Sequence, residues 1–451
     1  MKKLLIFFAV IIITAIFSTA IFGQDNGWDQ YSGNPIINPD TSGWNQGMVS
    51  APMVIMFKDT LRMWYMGDSL YGFNGIIHIG YAWSLDGITW QQYSENPVFS
   101  PQQGEWDYPH IFYPQVIADG DTLRMWYGGG DIREGDAIHR LGVMCIGYAT
   151  SVDCINWNRH PEPVMEPPHP TAWDQDGVLP GGVIKEDGIF KMWFDGGVGP
   201  YGYPPASSKW SIGYATSSDC IHWDLLPSPV ISHGDSSTDF DESIAGDAYV
   251  IRTNAGYDMW YHGHSHTAVV IGKPQGKIGY ASSSDGIVWT KYDKNPVLNP
   301  TSVSPQWTTG YYEPSVYFDG ALFHMWFTGW DELSGFIAIG YATSPLDTSH
   351  YPTGMEDDLL TQTPIEYNLS QNYPNPFNPA TTINYEVSEA GFISLKVYNL
   401  LGEVVATLVN EDKPVDTYEL TWNAENLSSG VYFYRLQAGS FVESKKMILL
   451  K

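Results

Sequence analysis

Basic residues are scarce in this 451-residue chain: 22 Lys and Arg stand against 50 Asp and Glu, a formal net charge of −28. Phosphate backbones and anionic bilayers are gripped by clustered cations, so nucleic acid and anionic membrane surfaces are excluded as partners, and a neutral or cationic ligand is expected. Cysteine is scarcer still, with three residues. Three thiols cannot all pair. Cys154 and Cys220 fall at the same turn position in successive repeats, too far apart to bond, so all three are read as free thiols. No zinc-type spacing is present, and no metal or cofactor is expected. Long apolar runs are missing beyond the first 22 residues. There Met1-Lys2-Lys3, the apolar Leu4 to Phe17 and the small Ser18-Thr19-Ala20 read as a signal peptide over residues 1–23. An uncleaved anchor is the alternative, because the stretch approaches spanning length.

Aromatics and glycine are plentiful, with 18 Trp, 29 Tyr, 19 Phe and 45 Gly, and they recur in a phrase. Met-Trp-[Tyr/Phe]-x-Gly begins at Met63, Met125, Met192, Met259 and Met325, and Ile-Gly-Tyr-Ala follows at Ile79, Ile146, Ile212, Ile278 and Ile339. A period of 62 to 67 residues made of short aromatic strands and Gly-rich turns predicts radial repetition of four-stranded sheets. Within each unit, a first strand such as Pro52 to Phe57 turns back into Met-Trp-Tyr. The Ile-Gly-Tyr-Ala strand then turns at Asp86-Gly87, Asp153-Cys154, Asp219-Cys220 or Asp285-Gly286 toward a Trp.

The fifth unit lacks its last strand. Trp28 to Tyr31 with Asn34-Pro35-Ile36 matches Trp90 to Tyr93 with Asn96-Pro97-Val98, so the N-terminal strand is predicted to complete the fifth blade and remove the ring's free edges. The expected fold is all-β: a five-bladed β-propeller over residues 24–350, closed by the N-terminal strand. A linker over 351–366 and a small β-sandwich over 367–451 complete the chain.

Residues that recur in every blade are expected to pack; those that break the repeat carry the chemistry. When the first strands are aligned on Val54, Val116, Val183, Val250 and Val316, the position three residues earlier holds Ala51, Tyr113, Pro180, Asp247 and Glu313. Two carboxyl groups from adjacent blades at a channel mouth can serve as acid and base in inverting glycoside hydrolysis, which needs a separation of about 6.5 to 9.5 Å. Glu313 is the expected proton donor and Asp247 the base, or the group that tunes it. A structural role bridging neighbouring strands is the other reading. The connecting loops add Trp106, His110, Trp173, Tyr312, Trp330 and the His262-Gly263-His264-Ser265-His266 cluster, aromatic faces for sugar C–H surfaces and polar groups for hydroxyls. The histidines admit a metal-binding alternative, and together with Arg133 a phosphate-binding one.

Two resemblances follow from these residues. Glu313-Pro314-Ser315-Val316, Ser50-Ala51-Pro52 and the phrase from Ile79 to Trp90 resemble the five-bladed propeller glycosidases of glycoside hydrolase families 32, 43 and 130. That implies an oligo- or polysaccharide substrate and three carboxylates. Only two align here; the third would be Asp176 or Asp195. A non-catalytic glycan-binding propeller is the alternative. Ser84 to Trp90 is also similar to a shortened sialidase Asp-box, a turn-stabilising device. Asn368 to Ile383, with its Pro374-Asn375-Pro376-Phe377-Asn378-Pro379 core, resembles the opening of the type IX secretion C-terminal sorting domain. It implies the secretion machinery as a partner, and a monomer secreted or attached at the cell surface after signal-peptide export to the periplasm.

Overall fold

The computed structural model describes residues 24–25, 27–70, 75–130, 144–167, 172–199, 208–253, 256–266, 276–300, 307–319, 322–331, 334–345 and 367–451, except 373, 389, 401 and 440. The expected signal peptide, the linker and Arg133 lie outside the described residues.

The chain is all-β, a five-bladed propeller followed by a small sandwich. The first blade shows the plan: Met48–Phe57, Thr60–Asp68 and Ile77–Ser84 pair antiparallel in sequence, and Gln91–Gln92 adds a short outer strand. In all five blades the aligned valine faces the methionine of the repeated phrase: Val54 with Met63, Val116 with Met125, Val183 with Met192, Val250 with Met259 and Val316 with Met325. One face of each sheet is therefore set by the same residues. In the third blade Pro180, which has no N–H to give, and Gly181-Gly182 interrupt the first strand, and the blade divides into an inner and an outer half.

The N-terminus closes the ring. Asp29 pairs with Thr343 and Gln30 with Ala342, and Ile37 bridges Ile339. The Asn34 amide bonds both the N–H and the C=O of Tyr341, as Asn96 does with Tyr81 and Asn295 with Tyr280. The side chain thus extends the ladder where the backbone turns away.

Blades are held together by indoles. Trp64, Trp126, Trp193 and Trp326 each reach into the next blade and donate to a turn carbonyl there, of Cys154, Cys220, Gly286 and Gly87 respectively. Each also meets the outer-strand Trp of that blade edge-on, at 5.8 to 6.0 Å. Trp28 completes the series against Trp260 at 6.4 Å. The indoles of Trp28, Trp64, Trp126, Trp193, Trp260 and Trp326 are wholly buried, and aromatic burial of this size dominates the packing between sheets.

The C-terminal region has two sheets. One joins Asn368–Leu369, Ala380–Val387 and Asp416–Asn423; the other orders Val404–Lys413, Gly391–Tyr398, Gly430–Ala438 and Phe441–Leu449. Strict alternation buries Ile383, Tyr385, Val387, Ile393, Leu395, Val397, Tyr434 and Leu436 between them.

Candidate active site

Four of the five first strands carry a β-bulge at the same place, marked by register shifts after Ser50, Phe112, Gly246 and Tyr312. Its left-handed residue is Ala51, Tyr113, Asp247 or Glu313, with φ of 47°, 47°, 50° and 54°. A non-glycine residue in this region costs roughly 1 kcal/mol or more. The strain recurs because the bulge re-aims one side chain out of the blade. Pro180, with φ fixed near −65°, cannot adopt it, which is why the third blade breaks instead. The four residues line one small cavity with Pro52, Met53, Pro114, Gln115 and Pro314. Below it, a second cavity of about 300 Å³ is lined by aliphatic strand residues such as Ile55, Val116, Ile184 and Val250, and Met53 and Gln115 border both.

The variable residue of the Met-Trp-Tyr-x-Gly phrase serves this bulge from the preceding blade. Asp195 Oδ2 accepts the Asp247 N–H at 2.8 Å, Thr328 Oγ1 accepts the Ala51 N–H at 2.8 Å, and Met66 Sδ accepts the Tyr113 N–H at 3.2 Å. Gly128 has no side chain to offer, and the residue it would serve, Pro180, has no N–H. His262, the remaining member, turns to its own blade and places Nδ1 3.1 Å from Asp247 Oδ2.

Glu313 and Asp247 therefore share the cavity in different surroundings. Burial pushes the Glu313 carboxyl up to about 8, with the Asp247 charge adding to the rise, against opposing hydrogen bonds from Thr328 and the Ala51 N–H. At neutral pH it holds its proton. Asp247 instead has the His262 ring against its carboxyl and the Asp195 carboxylate on its backbone. Tyr113 is raised well above the usual phenol range, by burial and then by the Glu313, Asp247 and Asp195 carboxylates. Spacing alone did not assign Tyr113 or Thr328 a role. For Thr328 the signal was available in the identity of the x residue, which changes in every repeat between an aromatic residue and a constant glycine.

The other expected site residues divide into two sets. His262 packs against Tyr312 at 4.7 Å, and Tyr312 against Trp330 at 5.8 Å, an aromatic wall running from Asp247 to the rim of an apolar cluster that includes Ala51, Met66 and Phe112. His264 is buried, its ring 6.2 Å from that of His262. His110 is buried beside Phe112, where its strand bridges Ile77 of the first blade. Trp106 and Trp173 lie within their own blades, stacked on Tyr127 and Phe194 at 5.9 Å and seated over Gly129 and Gly196, where a Cβ would meet the indole at 2.5 and 2.8 Å. Asp176 accepts the Gly199 N–H at 2.8 Å, just past the Asp195–Val198 strand. Among the described residues no group of three or more His, Cys, Asp or Glu is placed to hold a metal ion.

Comparison with known proteins agrees with this architecture. Residues 371–450 match the secretion system C-terminal sorting domain. Over the ring, the chain is similar to a glycosyl hydrolase from Bacteroides ovatus, at 19% identity and a TM-score of 0.53, covering 71% of this chain and 94% of that one. It is likewise similar to the β-1,2-mannobiose phosphorylase of Listeria innocua, at 16% identity and a TM-score of 0.50, covering 73% and 99%. The chain has the five-bladed propeller fold of these structures, followed by a secretion system sorting domain. In sequence, the chain is similar to an uncharacterised protein of Mycobacterium tuberculosis, 28% identical over 194 residues, 43% of this chain and 60% of that one. It is also similar to a 1,2-β-oligomannan phosphorylase of a Thermoanaerobacter species, 27% identical over 218 residues, 47% of this chain and 62% of that one. The chain thus spans about three fifths of the length of these curated relatives. The sorting domain marks it for type IX secretion, to the cell surface or the medium.

Proposed function

We propose that the propeller is an exported glycoside hydrolase that cleaves an oligo- or polysaccharide with Glu313 as general acid and Asp247 as base. One observation carries this reading: two carboxyl groups from adjacent blades enter one cavity at strained bulges, where burial and the Asp247 charge raise the Glu313 carboxyl toward its protonated form. A protonated carboxyl gives its hydrogen to the leaving glycosidic oxygen. An ionised partner activates water on the other side of the sugar ring. Asp195 fixes the Asp247 backbone, and the wall of His262, Tyr312 and Trp330 offers aromatic faces to the sugar. In this reading Asp176, Trp106 and Trp173 shape the blades and loops that carry the site, while His110 and His264 line its approach.

The reading includes the rest of the chain. Residues 1–23 are a leader to the periplasm, 24–350 the catalytic ring, 351–366 a linker and 367–451 the element handled by the secretion machinery. The protein acts as a monomer.

The test is release of reducing sugar from a glycan panel that includes β-1,2-linked mannosides, chosen for the likeness to the oligomannan and mannobiose phosphorylases. Turnover by the wild type and a loss of at least about a hundredfold in Glu313→Gln and Asp247→Asn are expected. Undiminished turnover in both variants would remove the assignment. Binding without turnover would favour a glycan-binding propeller. Phosphorolysis is the second reading, favoured by the same likeness, and sugar phosphate formed only in the presence of inorganic phosphate would establish it.

A further inference from the structure

The general-acid reading leaves open which oxygen of Glu313 carries the proton and what holds the other. Both donors found on this carboxyl converge on Oε2. The Ala51 N–H, brought in from the first blade, lies 2.7 Å away, and the Thr328 hydroxyl, from the adjacent strand of the same blade, lies 2.5 Å away. Thr328 Oγ1 also accepts from the Ala51 N–H, so its own hydrogen is directed to the carboxyl. Oε1 has no protein partner among the described residues. The chain closes the triangle across the junction between its first and last blades, because Ala51 can present its N–H only from the left-handed bulge.

We propose that Thr328 is a positioning residue for the reaction: with the Ala51 N–H it occupies Oε2, so that the acidic proton resides on Oε1 toward the cavity and the ionised product form of Glu313 is held ready for reprotonation. This rests on the hydrolase reading of the site. Besides burial, three groups shift its titration, and a fourth, Tyr113, lies close by. The Asp247 carboxyl faces it from the fourth blade and opposes ionisation, the Tyr113 phenol comes from the second, and Thr328 and the Ala51 N–H favour ionisation. His262 stands behind Asp247, as does Asp195 through its backbone bond. Threonine at x is therefore a different choice from Met66, Gly128, Asp195 and His262. It is the x residue whose hydroxyl both serves the next blade's bulge and donates to a carboxyl of its own blade.

Thr328→Val keeps the shape and removes the donor; Thr328→Ser restores it. In the full-length protein, pH-difference infrared spectra referenced to Glu313→Gln isolate the protonated carboxyl band of Glu313. The midpoint should rise by about one to two pH units in Thr328→Val, the range expected for losing one hydrogen bond to a charged group, and should return in Thr328→Ser. On a cleaved glycan, the alkaline limb of kcat should move with it while KM stays within about twofold. An unchanged midpoint in Thr328→Val, or a shift that Ser does not reverse, overturns the proposal. Because the band is read without substrate, a shifted midpoint in a protein that cleaves no glycan keeps the hydrogen bond from Thr328 to Glu313 but removes the hydrolase reading and, with it, the role of Thr328 in a reaction.

Discussion

Asp195 Oδ2 accepts the backbone N–H of Asp247 at 2.8 Å, a bond from the third blade to the fourth that fixes the bulge on which one of the two mouth carboxyls stands. Asp195 is fully buried, and this bond gives it a task that neither its type nor its spacing would assign. Asp195→Ala leaves a buried N–H without that acceptor and should cost about 1 to 3 kcal/mol in denaturant unfolding. Asp195→Asn keeps an acceptor and should recover more than half of that loss. Equal destabilisation by the two would show that the carbonyl-type acceptor is not what matters.

The raised Glu313 carboxyl makes stability depend on pH. The unfolded chain ionises this group near 4.5 and the folded one near 8, so between those values the folded state binds more protons and stability falls as pH rises. Glu313→Gln removes the dependence. At pH 5 the two proteins should unfold alike, and at pH 8 the variant should be more stable by about 3 to 4 kcal/mol, seen as a higher Tm. A wild-type Tm that runs parallel to the variant's from pH 5 to 8 would contradict the assignment. Turnover, where Glu313 is the acid, should decline as pH passes about 8.

Ring closure rests on a short segment. Trp28 is wholly buried and meets Trp260 edge-on, and the Asn34 amide is bonded twice to Tyr341. Trp28→Ala should cost about 3 to 5 kcal/mol, as for other buried Trp truncations. Asn34→Ala should cost about 1 to 2 kcal/mol through its two hydrogen bonds. Chemical denaturation of each variant measures both, and a neutral Trp28→Ala would mean that the ring does not need its N-terminal strand.

The three thiols should be silent in the native protein. Burial pushes the Cys145 thiol up to about 12 and raises Cys154 and Cys220 as well, so little thiolate forms near neutral pH. A thiol reagent at pH 8 should label none of them over minutes and all three after unfolding in guanidinium. Rapid native labelling of Cys154 or Cys220 would show that the turn opens in solution.

Much of the fold was legible because the repeat states it five times. The Val-to-Met spacing became a cross-strand pair in every blade, and the match of Trp28 to Trp90 became the same edge-on indole contact. The site was legible only in part. Asp247 and Glu313 stood out because two repeats depart from the others at one position. Trp106 and Trp173 looked equally suited to a sugar, yet each lies over a glycine of its own blade. Aromatic packing and aromatic binding use the same residues, and which of them occurs depends on what faces the ring. Asp176 shows the same ambiguity for a carboxylate, since a backbone N–H satisfies it as readily as a substrate hydroxyl.

By itself the sequence determined the number of blades, the register within each, the strand that closes the ring and the excess of acid over base, because these depend on periodicity and composition along the chain. Only the tertiary structure decided that Ala51, Tyr113, Asp247 and Glu313 share a left-handed bulge and a cavity, that Asp195 and Thr328 hold the carboxyl-bearing bulges and their neighbours in place, and that one carboxyl keeps its proton. Within the site, hydrogen bonds and desolvation act over a few ångströms between residues as much as 277 positions apart, as for Ala51 and Thr328. Such distances exist only after the ring has closed.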